Sequence, residues 1–347
     1  MIFKMRSIPL IILILEALLR RLPKHHPRYL VIQDEHRRRV AGYKGEESLD
    51  FYLRSLPDKK YFILHDLNLP DGPYNCQIDT ALISSEYTLV IGVKQMAGNL
   101  EFDTKDEQFT QMKEGEKKGF PYPIAQEERH KAFIEKLLMA NNFPKVPIDY
   151  LVTLTNPYAT YSITGPKAEK VRPHVCKSDI FPKRIQMFEN AYQTPCLTLK
   201  EMRKLSRLLV KMNKPPTEFF LEKYGIQRVD LRTGVLCPTP SCEHRPMIRK
   251  KRQWFCPGCG TYSKDAHIQA LMDYFLLFSL TITNQQFRKF AHLASPDAAG
   301  RILRSLNLIC SGSKKMRTYA PEQFPWDPLK KSSQIKPEIQ RSVILTK

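Results

Sequence analysis

The apolar positions in the first half of the chain predict a small α/β domain. Residues 77–98 contain two short apolar runs, QIDTALI and YTLVIGVKQ, with the length and β-branched composition of strands. A Ser-Ser-Glu break at residues 84–86 separates them, which predicts an antiparallel hairpin. Around the hairpin we expect a helix after Gly42, strands at YFILHDL, LEFD and DYLVTLTNP, and a helix that begins at PIAQ. This order of elements predicts an α/β domain over residues 42–157.

The last third of the chain contains short helical patterns with recognisable N-terminal caps. Thr283 followed by Gln286 forms a capping-box pattern, and Ser295 before Pro296 marks a second helix start. A basic stretch, SGSKKMRTY, comes after this second helix. A helix, a turn, a helix and a basic strand pair in this order are typical of a winged helix-turn-helix domain. An ordinary helical subdomain that contacts other proteins fits the same pattern.

Shifts in composition divide the chain into six predicted segments. They are an N-terminal amphipathic and basic segment at 1–41, the α/β domain at 42–157, a helical linker region at 158–230, a cysteine-rich segment at 231–265, the helix-turn-helix-like domain at 266–320 and a flexible tail at 321–347. The N-terminal apolar run from Ile8 to Leu15 is too short to cross a membrane, and no small-residue cleavage site follows it. We expect it to pack on the protein or to lie on a surface.

The charge of the chain points to an anionic partner. The 55 Lys and Arg against 35 Asp and Glu give a formal net charge of +20, which favours nucleic acid, phosphate or a membrane surface over a merely solvated basic exterior. Residues 231–320 carry 14 of the Lys and Arg against 4 Asp and Glu. The run Arg249, Lys250, Lys251 and Arg252 beside Trp254 is expected to touch phosphates and stack on a base, or else to form an exposed hairpin tip. The other residues expected to contact nucleic acid are Arg301, Arg304, Lys314, Lys315 and Arg317.

Four of the eight cysteines have the spacing of metal ligands. Cys237 and Cys242 form a C-x4-C pair, and Cys256 and Cys259 form a C-x2-C pair within CPGCG. Four thiolates suit tetrahedral Zn²⁺, so we expect a structural zinc ion in a zinc ribbon. His244 can replace Cys242 as a ligand, and unligated cysteine pairs or a catalytic zinc site are the other interpretations. This use of cysteine favours a reducing cytoplasm over a secreted disulfide framework.

Asp79 and Lys94 place a carboxylate and an ammonium group on the two strands of the predicted hairpin. Gly92 lies two positions before Lys94, so both positions face the same side of the strand. Metal-dependent nucleases hold a divalent ion beside a phosphate with a carboxylate on one strand and a second carboxylate and a Lys on the next. This chain has no second carboxylate at position 92.

Several short motifs in residues 42–157 carry a family resemblance. They are GYKGEE at Gly42–Glu47, QID at Gln77–Asp79, the pair Val93–Lys94 with Gly98, PIAQ ending at Gln126, and the strand that ends at Asn156-Pro157. With these motifs the segment resembles the nuclease-related domain (NERD) family, an offshoot of the restriction-endonuclease-like PD-(D/E)XK fold. The resemblance implies an α/β fold with a restriction-endonuclease-like α/β/α core. The predicted zinc ribbon and small winged-helix-like helical domain that follow also resemble those attached to this domain in one subgroup.

The resemblance also implies a catalytic site at Glu46, Asp79, Lys94 and Gln126. Asp79 would bind Mg²⁺ or Mn²⁺ with the backbone carbonyl of Val93, and Lys94 would hold the attacking water or stabilise charge on the phosphate. The family usually has Glu where this chain has Gly92, which predicts an activity loss of tens- to thousands-fold and a gain of cleavage on Gly92→Glu. Glu86 and Glu101 lack the alternation with Lys94 that a replacement needs.

Three functions remain compatible with the sequence. The first is a DNA-binding protein with a degenerate metal-dependent nuclease site. The second is an active metal-dependent DNA endonuclease or exonuclease, and the third is a protein-interaction adaptor with structural zinc. The sequence does not distinguish DNA from RNA and does not indicate an oligomeric state.

Overall fold

The structure is a computed structural model that describes residues 1–57, 59–214, 220–243, 245–313 and 316–322. The chain divides into two compact units. The first unit comprises Met1–Pro9 and Arg37–Thr217, and the second comprises Leu10–His36 and Glu218–Lys347. Most of the tail predicted at 321–347 lies outside the described residues.

The elements up to residue 214 alternate helices and strands. They are β1 (Ile2–Lys4), α1 (Leu10–Arg21), α2 (Tyr29–Leu53), β2 (Phe62–Asp71), β3 (Tyr74–Ile83), β4 (Thr88–Lys94), β5 (Asn99–Asp103), β6 (Gln108–Lys113), β7 (Glu116–Phe120), α3 (Pro123–Ala140), β8 (Ile148–Leu154), β9 (Thr160–Thr164), α4 (Ala168–Val171), β10 (Val175–Lys177), α5 (Phe181–Ala191) and α6 (Leu199–Met212).

The first unit is organised around a six-stranded sheet with the order β1-β2-β3-β4-β8-β10. Strands β2, β3 and β4 are antiparallel neighbours, whereas β8 runs parallel to β4 with Gly92 opposite Val152. Apolar residues of α3 and α6 pack on one face of this sheet, and those of α2 and α5 pack on the other. A second sheet, β7-β6-β5-β9, follows the end of β4. This mixed α/β architecture places β3, β4 and α3 side by side.

Most of the predicted elements of this unit are present. The hairpin is confirmed as β3 and β4, and the helix that begins at PIAQ is confirmed as α3. The helix predicted after Gly42 begins earlier, at Tyr29. Residues 104–119, for which the sequence predicts no element, contribute β6 and most of β7, a strand with five exposed residues and therefore no alternation of apolar positions to detect. The region predicted as helical at 158–230 also adds β9 and β10 to the two sheets.

The elements after residue 219 are short. They are α7 (Phe220–Lys223), β11 (Ile248–Lys250), β12 (Gln253–Phe255), β13 (Tyr262–Ser263), α8 (Ala266–Leu277), β14 (Ile282–Thr283), α9 (Asn284–Ala291), α10 (Pro296–Ser305), β15 (Ile309–Ser311) and β16 (Thr318–Ala320). The predicted caps are confirmed, since Thr283 accepts a hydrogen bond from the Gln286 amide and Ser295 accepts one from the Ala298 amide.

The second unit has an apolar core that includes the N-terminal helix. Leu15 and Leu18 of α1 are fully buried in a cluster with Leu277 of α8. Arg21 of α1 is also buried, where its Nε lies 2.8 Å from Asp273 Oδ2 in an ion pair. The N-terminal apolar run therefore packs on the protein, as one of the two predicted alternatives requires. Among the described residues, none of the helices combines the length and the hydropathy needed to cross a bilayer.

Candidate functional site

The side chain of Asp79 on β3 is held by the backbone of β4. The last residue pair between these two strands is Thr80 with Ile91, and Asp79 comes directly before Thr80 in the chain. There Asp79 Oδ2 accepts a hydrogen bond from the Val93 amide at 2.8 Å. The Val93 amide is a backbone donor of β4, and its hydrogen bond to Asp79 fixes the carboxylate beside Lys94.

Lys94 and Gln126 are brought together from two different elements. Lys94 is the last residue of β4, and Gln126 lies in the first turn of α3. The Lys94 Nζ donates to Gln126 Oε1 at 3.1 Å, and both side chains are half-buried. The structure therefore brings three of the four residues implied by the family resemblance, Asp79, Lys94 and Gln126, to one place at the end of β4.

Glu127, which the sequence analysis did not select, occupies the space beside Gly92. Its side chain is 1% exposed. A Cβ built on Gly92 would overlap the Glu127 carboxylate and lie 2.6 Å from its Cδ. A larger residue at position 92 therefore requires Glu127 to move, and the gain of cleavage expected on Gly92→Glu stays a prediction.

The two oxygens of the Glu127 carboxylate have different surroundings. Its Oε2 lies 3.0 Å from His130 Nδ1, one turn further along α3. Its Oε1 is buried and has no hydrogen-bond partner in the described part of the chain. Buried carboxylate oxygens are almost always hydrogen-bonded or bound to a cation. The Glu127 Oε1 is therefore available to a hydrogen-bond donor or to a cation.

The surroundings of Asp79 raise the pKa of its carboxyl group. Burial raises the pKa of Asp79 to about 6, and the nearby charge of Glu127 acts in the same direction. The hydrogen bond from the Val93 amide and the charge of Lys94 oppose this shift. A cation placed between carboxylates reverses such repulsion, because it favours the charged forms.

Glu46, the fourth implied residue, is held by an arginine that the sequence analysis missed. Its Oε2 accepts a hydrogen bond from Arg6 Nη1 at 2.8 Å. Arg6 is 4% exposed in its side chain and also pairs with Asp50 and Asp66. Burial raises the pKa of Glu46 to about 9, with the charge of Asp79 as the next cause. The charge of Asp79 therefore affects the pKa of Glu46, although the hydrogen bond of Glu46 is to Arg6.

The four predicted zinc ligands converge. One sulfur atom from each of Cys237, Cys242, Cys256 and Cys259 lies within 4.8 Å of the other three. Cys237 and Cys259 are 3.6 Å apart at Sγ, and Cys242 and Cys256 are 3.3 Å apart. The three short strands β11, β12 and β13 pair as an antiparallel sheet, and Cys256 and Cys259 lie between β12 and β13 in the chain. The cluster can hold a metal such as zinc, and His244, the alternative ligand, lies outside the described residues.

Three residues of the basic run beside the cysteine cluster, Lys250, Lys251 and Arg252, are exposed, whereas Trp254 is buried. Lys251 and Arg252 form the turn between β11 and β12, and both side chains are exposed. The Arg249 guanidinium lies 5.0 Å from the centre of the Trp254 ring. Trp254 is fully buried and donates its Nε1 hydrogen to His267 Nδ1 at 3.2 Å. The ring of Trp254 therefore belongs to the core and offers no exposed face to a base.

The remaining predicted contact residues lie on or after the last helix. Arg301 and Arg304 are three residues apart on α10 and both are exposed. Arg317 is exposed immediately before β16. Lys314 and Lys315 lie outside the described residues.

Comparison with known proteins identifies one part of the chain. Residues 41–155 match the family model described as a nuclease-related domain (NERD). This range contains Glu46, Asp79, Lys94 and Gln126. No curated protein and no solved structure matches the chain.

Proposed function

We propose that this chain, which carries a nuclease-related domain at residues 41–155, binds DNA and hydrolyses its phosphodiester bonds with a divalent cation. The observation that carries the proposal is the arrangement of Asp79, Lys94 and Gln126 at the end of β4. The six-stranded sheet covered by helices on both faces supports a restriction-endonuclease-like core. In this proposal the site faces a DNA backbone.

Each residue of the site has a distinct role. Asp79, fixed by the Val93 amide, would hold Mg²⁺ or Mn²⁺ through its other oxygen. A divalent cation, when bound, polarises the phosphate and lowers the pKa of a bound water. The Lys94 ammonium stabilises the negative charge that develops on the phosphate, and its hydrogen bond to Gln126 keeps it in position. Water attacks phosphorus and gives up a proton, one P–O ester bond breaks, and the departing oxygen takes up a proton.

Lys94→Ala tests this proposal directly. We expect cleavage of plasmid and single-stranded DNA in Mn²⁺ to fall by about 100- to 1000-fold, because the phosphate loses a fixed cationic donor. The matched control is Lys136→Ala, which removes the same charge from an exposed position on α3. Full activity in Lys94→Ala, or no cleavage by the unaltered chain under any of these conditions, would refute hydrolysis at this site.

The second unit supplies the features that support DNA binding. The order α8, β14, α9, α10, β15, β16, with β16 paired between β14 and β15, supports the proposal of a winged-helix domain. Arg301 and Arg304 lie on the exposed side of α10, which would be the recognition helix of such a domain. We propose that α10 contacts DNA, and that a structural zinc ion holds the ribbon that carries Arg249, Lys250, Lys251 and Arg252.

Loss of the two arginines on α10 is expected to weaken DNA binding in a salt-dependent way. The double variant Arg301→Ala/Arg304→Ala should bind more weakly at 50 mM salt, and its slope of log affinity against log salt should fall by about 2. The control is Arg203→Ala/Arg207→Ala, which removes two exposed charges from α6. Binding is measured by fluorescence anisotropy of labelled duplexes. An unchanged slope would remove α10 from the interface, and no binding at low salt would favour a protein-interaction adaptor.

A second candidate function is DNA binding without hydrolysis. The glycine at position 92, where the family usually has Glu, favours it. Binding by the unaltered chain, with no cleavage in Mg²⁺ or Mn²⁺, would select this candidate.

A further inference from the structure

We infer that Glu127 of α3 supplies the carboxylate that position 92 lacks, and that Glu127 and Asp79 together form a divalent-cation site. The inference deepens the proposed function and rests on it for the identity of the site. The carboxylate would reach the same point in space from a helix instead of from strand β4. Gly92 would then be a structural requirement of this arrangement and not a loss of the site.

The first observation is steric. Gly92 is buried, and a Cβ at this position would overlap the Glu127 carboxylate. One small volume can therefore contain a side chain from position 92 or the carboxylate of Glu127, but not both. The chain has glycine where a strand carboxylate would compete with the carboxylate from the helix.

The second observation is the unpartnered oxygen. Glu127 is 1% exposed, and its Oε1 has no hydrogen-bond donor among the residues that the structure describes. The nearby ammonium of Lys94 is directed to Gln126 instead. An ionised carboxylate in this position is costly unless a cation binds it.

The third observation concerns the positioning of the carboxylate. His130 Nδ1 lies 3.0 Å from Glu127 Oε2 and is largely buried, with 11% of its side chain exposed. Such a partner behind a metal-binding carboxylate fixes its orientation. With Oε2 occupied in this way, Oε1 remains available on the side of Gly92. The donors are all oxygen atoms, which favours Mg²⁺ or Mn²⁺ over softer metals.

Mn²⁺ binding to the zinc-loaded full chain tests this inference without any cleavage assay. Isothermal titration calorimetry and electron paramagnetic resonance of Mn²⁺ should show that Glu127→Gln weakens binding by about 10- to 100-fold. Glu128→Gln is the matched control, because Glu128 is the adjacent, exposed carboxylate of α3. Equal affinity in Glu127→Gln and the unaltered chain overturns the inference, as does an equal loss in both variants.

Relocating the carboxylate gives a second, reciprocal test. Gly92→Glu in a chain that also carries Glu127→Ala should recover Mn²⁺ affinity relative to Glu127→Ala alone, because the strand carboxylate then has room. A folded double variant that binds Mn²⁺ no better than Glu127→Ala overturns the inference. Glu127-dependent Mn²⁺ binding without DNA cleavage would refute the proposed hydrolysis and leave this site in place. Cleavage that survives Glu127→Gln would refute this inference and leave the proposed hydrolysis in place.

Discussion

Replacement of Cys256 and Cys259 by serine is expected to unfold the segment around the cysteine cluster, residues 235–263. The strands β11, β12 and β13 have three, three and two residues, so little backbone hydrogen bonding holds them together. Short segments of this kind depend on the metal for folding, and structural zinc contributes about 10–16 kcal/mol of apparent binding free energy at neutral pH. We expect this loss to exceed what the buried Val235, Met247 and Trp254 can offset.

Two measurements check this expectation. Metal analysis should show about one zinc per chain before the substitution and none after it. The emission of Trp254, which is fully buried, should shift to the red as its ring enters water, measured in a Trp326→Phe background. Cys310→Ser is the control, because Cys310 is an exposed thiol on β15. Retained zinc with unchanged emission would contradict the assignment of the four cysteines as metal ligands.

Arg6→Ala is expected to destabilise strongly the unit that contains the nuclease-related domain. It leaves Glu46, Asp50 and Asp66 without the buried guanidinium that now lies about 3 Å from each of them. Removal of one partner from a buried ion pair costs about 3–5 kcal/mol, and the partial exposure of these carboxylates places the expected cost near the lower limit.

The pH dependence of this loss follows from the charges that remain. Burial and the charge of Asp79 raise the pKa of Glu46 to about 9, and the charge of Arg6 opposes this shift, so loss of Arg6 raises the Glu46 pKa further. A group whose pKa is raised on folding binds its proton more tightly in the folded state, so the part of the stability deficit that comes from Glu46 should be largest above pH 9 and should shrink as the pH falls below 9. The stability deficit is measured by urea denaturation, with hydrogen exchange in β2 and β3 as the readout. Lys44→Ala on α2 is the exposed control, and a deficit of the same size in both variants would contradict the role of Arg6.

Most of the local elements were predictable because the physics that forms them is local. The break at residues 84–86 marks the hairpin, and the caps at Thr283 and Ser295 mark helix starts wherever they occur. The strands β6, β7, β9 and β10 were missed for the opposite reason. They are short or exposed, and their pairing partners, not their own patterns, make them strands.

Part of the candidate site was predictable in the same way. Asp79 and Lys94 lie on a hairpin whose register follows from the sequence, and the resemblance to the nuclease-related domain added Glu46 and Gln126. Glu127 had one available indication, since it lies three residues after Ile124 on the buried stripe of α3. A carboxylate on a buried stripe needs a partner, but the stripe alone does not reveal which partner it has.

By itself, the sequence determined the hairpin with its Asp and Lys, the four cysteines at metal-ligand spacing and the basic last third, because these depend on residue type and spacing along the chain. Only the tertiary structure decided what lies beside Gly92 and what holds Glu46. The packing of α3 against β4 brings Glu127 into the space of the missing side chain, and the N-terminal segment brings Arg6 to three carboxylates. These contacts join residues far apart in the chain, so no local pattern encodes them.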